Sequence, residues 1–237
     1  MAETKILWSV TTHGEIAPHI LKSAVDFFSS NYGVWGSLAP KPGTRVKMSP
    51  KVLQEQCVPT GAHTIYIRML VNDVLVGHVF ATRWTHGEEQ MCWITQLCVS
   101  STHRNQGVAK RLLQEVRQSW PGATYGILSS HPFAISAFLR VFDRGVENVH
   151  FGLTKNNARA IMESCPVPYV SAAKLHGSIF ENVTDGSVSC ADTGFLVDHE
   201  EPLAALRTIQ EKGIEWPFGK LPEGHENLIL AKGNTSM

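Results

Sequence analysis

No run in the 237-residue chain approaches the ~18 apolar residues that span a bilayer, so membrane insertion is not expected. The opening MAETKILWSVTTHGEIAPH lacks a basic segment followed by an apolar one, which argues against a secretory leader and for a cytoplasmic protein. Without a secretory route the two N-x-S/T sequons, at Asn182 and Asn234, carry no weight. Metal-ligand spacings are missing as well. The five cysteines (Cys57, Cys92, Cys98, Cys165, Cys190) form no C-x-x-C, no H-E-x-x-H occurs, and an odd number of thiols reads as reduced; no metal is expected. Neither sign of charge is in excess. Lys plus Arg and Asp plus Glu stand at 21 each, so no net field draws the protein to nucleic acid or to an anionic membrane, although local patches stay open. Low-complexity tracts, internal repeats and flexible linkers are also absent.

What is present is a globular composition, 43% hydrophobic and 18% charged, in a chain long enough for one elaborated domain or two small ones. KILWSVTT (5–12) alternates as a strand does, and IAPHILKSAVDFFSSNYG (16–33) places Ile20, Leu21, Ala24, Phe27 and Phe28 at helical spacing before a Gly. SPKVLQEQCV (49–58) opens with the Ser and Pro of a helix N-terminus. Three β-rich runs follow between 64 and 99, separated by Asn72-Asp73 and THGEE, and read as a meander. The third, QMCWITQLCV, is apolar on both faces, as a central strand is.

A loop of small and polar residues then runs into an amphipathic helix with Val108, Leu112 and Val116 on one face and Lys110, Arg111, Gln114 and Arg117 on the other. Pro121 stops it. TYGILSS (124–130) is a further short strand, and after His131-Pro132 a helix carries Phe133, Ala134, Ala137, Phe138 and Val141. In 143–187, TKNNARAIMESC looks helical while VPYVSAAKLHGSIF suits either type. The last fifty residues are expected to give strand (193–198), helix (200–212) and strand (227–232), with Asp198 as the cap before EEPLAAL.

The stretch Arg104-Asn105-Gln106-Gly107-Val108-Ala109 fits the pattern Q/R-x-x-G-x-G/A directly after a buried strand and at the start of a helix. A helix N-terminus leaves its first amides unpaired and carries about half a positive charge, so a loop whose backbone comes close there suits phosphate. Gly107 permits that approach, Ala109 does not block it, and Arg104 adds a fixed positive charge. The hexapeptide alone also suits an ordinary strand–turn–helix; its context of three preceding antiparallel strands and a following strand and helix makes it more specific.

With that context the chain resembles the GCN5-related N-acetyltransferases, the GNAT superfamily, over roughly residues 5–142 by order of elements and most closely over 92–140. DTGFLVDHEEP and WPFGKLPEGHE look like fungal GNAT-like proteins. The resemblance implies an α/β (α+β) GNAT fold: a mixed, mostly antiparallel sheet flanked by helices, with the fourth and fifth strands splayed. It also implies one domain over 1–237, an insertion at about 143–187, and a C-terminal strand–helix–strand that completes the sheet. Acetyl-CoA is the implied co-substrate. Its pyrophosphate would lie on Arg104, Asn105, Gln106, Gly107, Val108 and Ala109 and its pantetheine arm along Leu97, Cys98 and Val99; Lys110 and Arg111 are placed to reach the 3'-phosphate, with a solvated helix face as the alternative for at least one.

The catalytic pattern departs from the family. Aligned with N-x-x-A-x-x-x-Y, HPFAISAFLR puts His131 at the Asn and Phe138 at the Tyr, so Phe138 keeps a cofactor-side position without a proton to give to the leaving thiolate. The fourth strand, where a carboxylate base is usual, offers only Thr95 and Gln96 as polar catalytic candidates. Glu88 and Glu89 read as solvated turn charges. His131 is the better-placed base, with capping or packing as its alternative role. Asp198-His199 and His225-Glu226 lack a third ligand, and His225 and Glu226 stay unassigned.

The leading expectation is therefore direct acetyl transfer to a small-molecule amine by a monomer or homodimer. Other chemistry on a CoA thioester, a non-catalytic CoA-binding module and a protein lysine acetyltransferase remain as alternatives.

Overall fold

The computed structural model describes residues 5–233; the Asn234 sequon lies outside the described residues. Its strands are β1 (Ile6–Thr12), β2 (His63–Val71), β3 (Val74–His86), β4 (Glu89–Val99), β5 (Thr124–Ser129), β6 (Lys174–His176), β7 (Cys190–Asp192) and β8 (His225–Lys232). All eight form one sheet in the order β1-β2-β3-β4-β5-β8-β7-β6. Only β4 and β5 run parallel; every other neighbouring pair is antiparallel.

The meander is built locally. Asn72 and Asp73 both take positive φ (48° and 63°), the twist a two-residue hairpin needs, and Val71 therefore pairs with Val74. The main helices are α1 (Pro18–Asn31), α2 (Pro50–Cys57), α3 (Val108–Ser119), α4 (Pro132–Phe142), α5 (Gly152–Glu163), α6 (Pro168–Ala172) and α7 (Glu200–Gln210). The Ser49 hydroxyl accepts from Val52 N and starts α2, as its sequence implies.

β4 is buried on both faces because helices cover both. Cys92 and Ile94 pack with Val108 and Leu112 of α3 and with Ile135 and Phe138 of α4. Met91 and Trp93, one residue out of phase, pack with Ala158, Ile161 and Met162 of α5 and with Val170 of α6. α1 and α2 lie over Tyr66 and Phe80. Gly77 lets α3 settle on β3, since a Cβ there would come within 2.7 Å of Val108.

Parallel pairing of β4 with β5 ends at Ile94↔Ile127. Beyond it β4 continues along β3 to Val99, while β5 continues along β8 to Ser129. The two strands diverge, and Thr95 sits where the β3–β4 register slips. This is the splay that the family resemblance implies.

The C-terminal third differs in detail from the sequence expectation. The strand expected at 193–198 lies instead at Cys190–Asp192; Asp192 Oδ1 accepts from Gly194 N and Gly194 takes φ +66°, which ends the extended run. Residues 193–198 keep only an isolated bridge between Trp35 and Val197. The stretch 143–187 supplies the edge strand β6. The ambiguous VPYVSAAKLHGSIF holds both types, the short α6 and then β6. His199, not Asp198, is the N-cap of α7, although Asp198 Oδ1 accepts from Glu200 N at 2.8 Å. No helix among the described residues is long and apolar enough to cross a membrane.

Candidate active site

The loop after β4 is held in place by α1. Ser101 N donates to Asn31 Oδ1 at 3.1 Å, and Arg104 donates to Asn31 O at 2.5 Å, at the helix end where the dipole favours a cation. Asn105 and Gly107 take φ of +60° and +78°, turning the chain into α3. A Cβ on Gly107 would meet nothing, so its outer side is open. The first helical bond runs from Arg111 N to Gly107 O. The amides of Val108, Ala109 and Lys110 thus belong to the unpaired first turn, which suits an anion.

These amides border a cavity of about 540 Å³. Its lining joins the strand (Leu97, Cys98, Val99), the loop and helix start (Arg104, Asn105, Gly107, Val108, Ala109, Lys110), β5 and α4 (Ser129, His131, Ala134), and α7 (Glu201, Pro202). Arg104 is ion-paired with Glu201, whose Oε1 also lies 3.7 Å from His131 Nε2. The cavity therefore carries two carboxylates, Asp198 and Glu201, among its cations.

A second cavity, about 290 Å³, lies on the other side of the splay. Tyr32, Leu97, Ser129 and Ala134 line both, so the two meet where β4 leaves β5. Phe28, Trp35, Met48 and Phe195 make the second cavity largely apolar. Into it face Thr95, Gln96, Tyr169 and Glu226. Thr95 Oγ1 and Gln96 Oε1 are buried and make no hydrogen bond of ordinary geometry among the described residues. Tyr169 donates to Thr95 O at 3.1 Å. Burial pushes the Glu226 carboxyl up to about 7, with Thr193 acting in the opposite direction. Burial and then the Glu226 charge hold the Tyr32 and Tyr169 phenols well above their ordinary value.

The residues singled out from sequence fall into three places. Leu97, Cys98, Val99, Arg104, Asn105, Gly107, Val108, Ala109, Lys110 and His131 line the first cavity, and Thr95 and Gln96 line the second. Gln106 is exposed beside the first, its Nε2 donating to Thr102 O. Phe138 lines neither: it is fully buried in the core, its ring 4.8 Å from that of Phe142. His131 caps α4, Nδ1 accepting from Phe133 N at 3.2 Å. Burial, with Arg104 nearby, lowers its imidazole to about 4. A nitrogen already engaged as a cap acceptor is a poor proton acceptor for a substrate, so the geometry favours the cap among the two roles open to His131. The Cys98 thiol is pushed up to about 12 by burial, against nucleophilic use.

Sequence reasoning missed Tyr32, Tyr169 and Glu201 and left Glu226 without a role. Only Glu226 left a signal, as an acid in HENLILAK, whose neighbours on the strand are otherwise mostly apolar. Among the described residues no group of three or more His, Cys, Asp or Glu side chains could hold a metal ion.

A loop suited to phosphate thus lies at the mouth of a splayed parallel strand pair. Residues 32–123 match the family model described as Acetyltransferase (GNAT) family. The match takes in the meander, the Arg104–Ala109 loop and α3, and ends before β5.

Solved structures similar in fold include a GNAT acetyltransferase from Streptococcus pneumoniae, at 15% identity and TM-score 0.39, covering 57% of this chain and 83% of that one. A ribosomal-protein-alanine N-acetyltransferase from Brucella melitensis biovar Abortus is 13% identical with TM-score 0.35, covering 52% and 77%. An aminoglycoside acetyltransferase from an uncultured soil metagenomic sample is 14% identical with TM-score 0.34, covering 52% and 74%. Likenesses this distant say nothing of the acceptor. A comparison with curated proteins finds no match.

Proposed function

We propose that the protein is an acetyl-CoA-dependent N-acetyltransferase for a small-molecule amine, working by direct transfer in a ternary complex. The observation that carries this reading is the meeting of two unlike cavities just beyond the last β4–β5 rung, Ile94↔Ile127, one bordered by free amides and cations and the other mainly apolar. The first suits the diphosphate and pantetheine of CoA. Val108, Ala109 and Lys110 would hold the diphosphate through their amides, and Arg104 would add charge. The β4 edge from Leu97 to Val99, unpaired by β5, would hold the extended arm through its backbone, as an added strand is held.

When bound, acetyl-CoA supplies an activated acetyl group. The protein's own part is to hold the acceptor, exclude water and manage two protons. Phe138 is in the core and gives none. Tyr32 lines both cavities, and its phenol, held protonated by burial, would hydrogen-bond the departing sulfur rather than give up its proton.

Calorimetric titration with acetyl-CoA, followed by thiol release over a panel of amines, tests the reading. Binding with turnover is expected. Binding without turnover would make the protein a CoA-binding module or an enzyme of other thioester chemistry. No binding would end the reading.

A further inference from the structure

The second cavity offers a ligand mainly apolar surface, with Gln96 and Glu226 among its buried polar groups and with donors at the half-buried Gln56 and the exposed Lys47. Gln96 and Glu226 are each only 7% exposed, and Gln96 Oε1 and Thr95 Oγ1 make no hydrogen bond of ordinary geometry among the described residues, with His78 and Cys57 as their polar neighbours. A buried acceptor without a donor costs about 1–3 kcal/mol, so this set suits a ligand that brings several N–H groups. An ammonium group brings three. Glu226 is the only carboxylate on the lining, and the rest of the wall is chiefly Phe28, Trp35, Met48 and Phe195. A polyamine or aminoglycoside would leave further charges or hydroxyls against those rings, which is costly. At about 30 Å³ per small polar molecule, as for water, the volume of 290 Å³ takes on the order of ten non-hydrogen atoms.

We infer that the second cavity is the acceptor site for a compact primary monoamine with an aromatic or branched apolar body, and that Glu226 is the catalytic residue that takes its ammonium proton. This rests on the acetyltransferase reading above and specifies its substrate class. Glu226 accepts one proton from the ammonium, leaving a neutral amine beside Thr95 and Gln96. The nitrogen then bonds to the acetyl carbon as the carbon–sulfur bond breaks. The proton the nitrogen sheds passes to the departing sulfur, and Glu226 returns its own proton to water. Burial raises this carboxyl toward neutrality, as a proton acceptor working near pH 7 requires.

The test uses the full chain with saturating acetyl-CoA and follows thiol release with phenethylamine, isoamylamine, spermidine, kanamycin and a lysine-containing peptide. Expected is a kcat/KM for the two apolar monoamines at least a hundredfold above the other three. Glu226→Gln should lower kcat at least a hundredfold with the acetyl-CoA Kd unchanged. Val52→Phe, which narrows the cavity from α2, should raise KM for phenethylamine at least tenfold with the same unchanged Kd.

Acetyl-CoA binding with preference for spermidine, kanamycin or peptide, or full kcat in Glu226→Gln, would overturn this inference and leave the acetyltransferase reading standing. Failure of acetyl-CoA to bind at all would overturn both. Should Glu226→Gln not fold, Glu226→Asp replaces it, with a kcat drop of at least tenfold and unchanged Kd expected and an undiminished kcat counting against the proposal. Binding of phenethylamine to the CoA complex, read by calorimetry, checks the site without turnover; no detectable binding there would also refute it.

Discussion

Glu201→Gln should tighten acetyl-CoA binding, because Glu201 holds the guanidinium of Arg104 inside the cavity that suits a diphosphate. The side chains are 29% and 47% exposed, so the pair stands near the upper end of surface pairs, at about 1 kcal/mol that a ligand must replace. The carboxylate also repels the ligand. At about 8 Å and an effective dielectric of about 40, each phosphate charge contributes about 1 kcal/mol, and physiological salt reduces that by more than half. Together they predict a gain of about 1.4–2 kcal/mol, tenfold to thirtyfold in Kd. Titration calorimetry at about 0.05 M and about 0.5 M salt reads it, the gain shrinking at the higher strength. Unchanged or weaker binding by Glu201→Gln at low salt would refute the electrostatic reasoning and with it the role given to Arg104.

Three further outcomes follow from particular contacts. His131→Ala should lower stability by about 1 kcal/mol in denaturant unfolding through the lost cap on α4, and His131→Asn should restore it; a turnover loss exceeding that effect in both would return His131 to the mechanism. Thr154 Oγ1 on α5 accepts from the buried Leu230 N at 3.0 Å, so Thr154→Val should cost about 1–3 kcal/mol, whereas a change under about 0.5 kcal/mol would mean another acceptor takes over. Glu226 faces Tyr32 and Tyr169, with Thr193 and Lys47 also on the lining, and its raised pKa sets two opposite pH trends. Its ionised fraction, and so kcat/KM, should rise with pH through about 7; its stabilising contribution is complete below the unfolded value and is lost as pH climbs through about 7. A flat rate profile from pH 6 to 8 would contradict this.

Features set by neighbouring residues were legible without coordinates: the Asn72-Asp73 hairpin, the Ser49-Pro50 helix start, the doubly buried β4, and Gly107 opening α3. Each depends on backbone sterics or on a short period that the order of residues displays. The first cavity was legible in part for the same reason, since its loop and strand wall is one stretch from Leu97 to Lys110, whereas Arg45, Arg140, Asp198 and Glu201 come from elsewhere in the chain. The second was not. Its wall draws Phe28 from α1, Met48 from before α2, Thr95 from β4, Tyr169 from α6 and Glu226 from β8, brought together only by long-range pairing such as Ser129↔Asn227. Phe138 misled because alignment to a family pattern fixes a position along α4 but not the face it presents.

The divergence of β4 from β5 leaves a seam in the sheet where interstrand rungs are withheld. A guest lying in that seam would act as a provisional strand, so occupancy should knit the two halves of the sheet into one mechanical unit. Amide exchange at Leu97 and Val99 should slow on adding CoA far more than at Cys92 or Ile94, whose rungs are already closed. Equal slowing at all four would mean that the guest lies elsewhere.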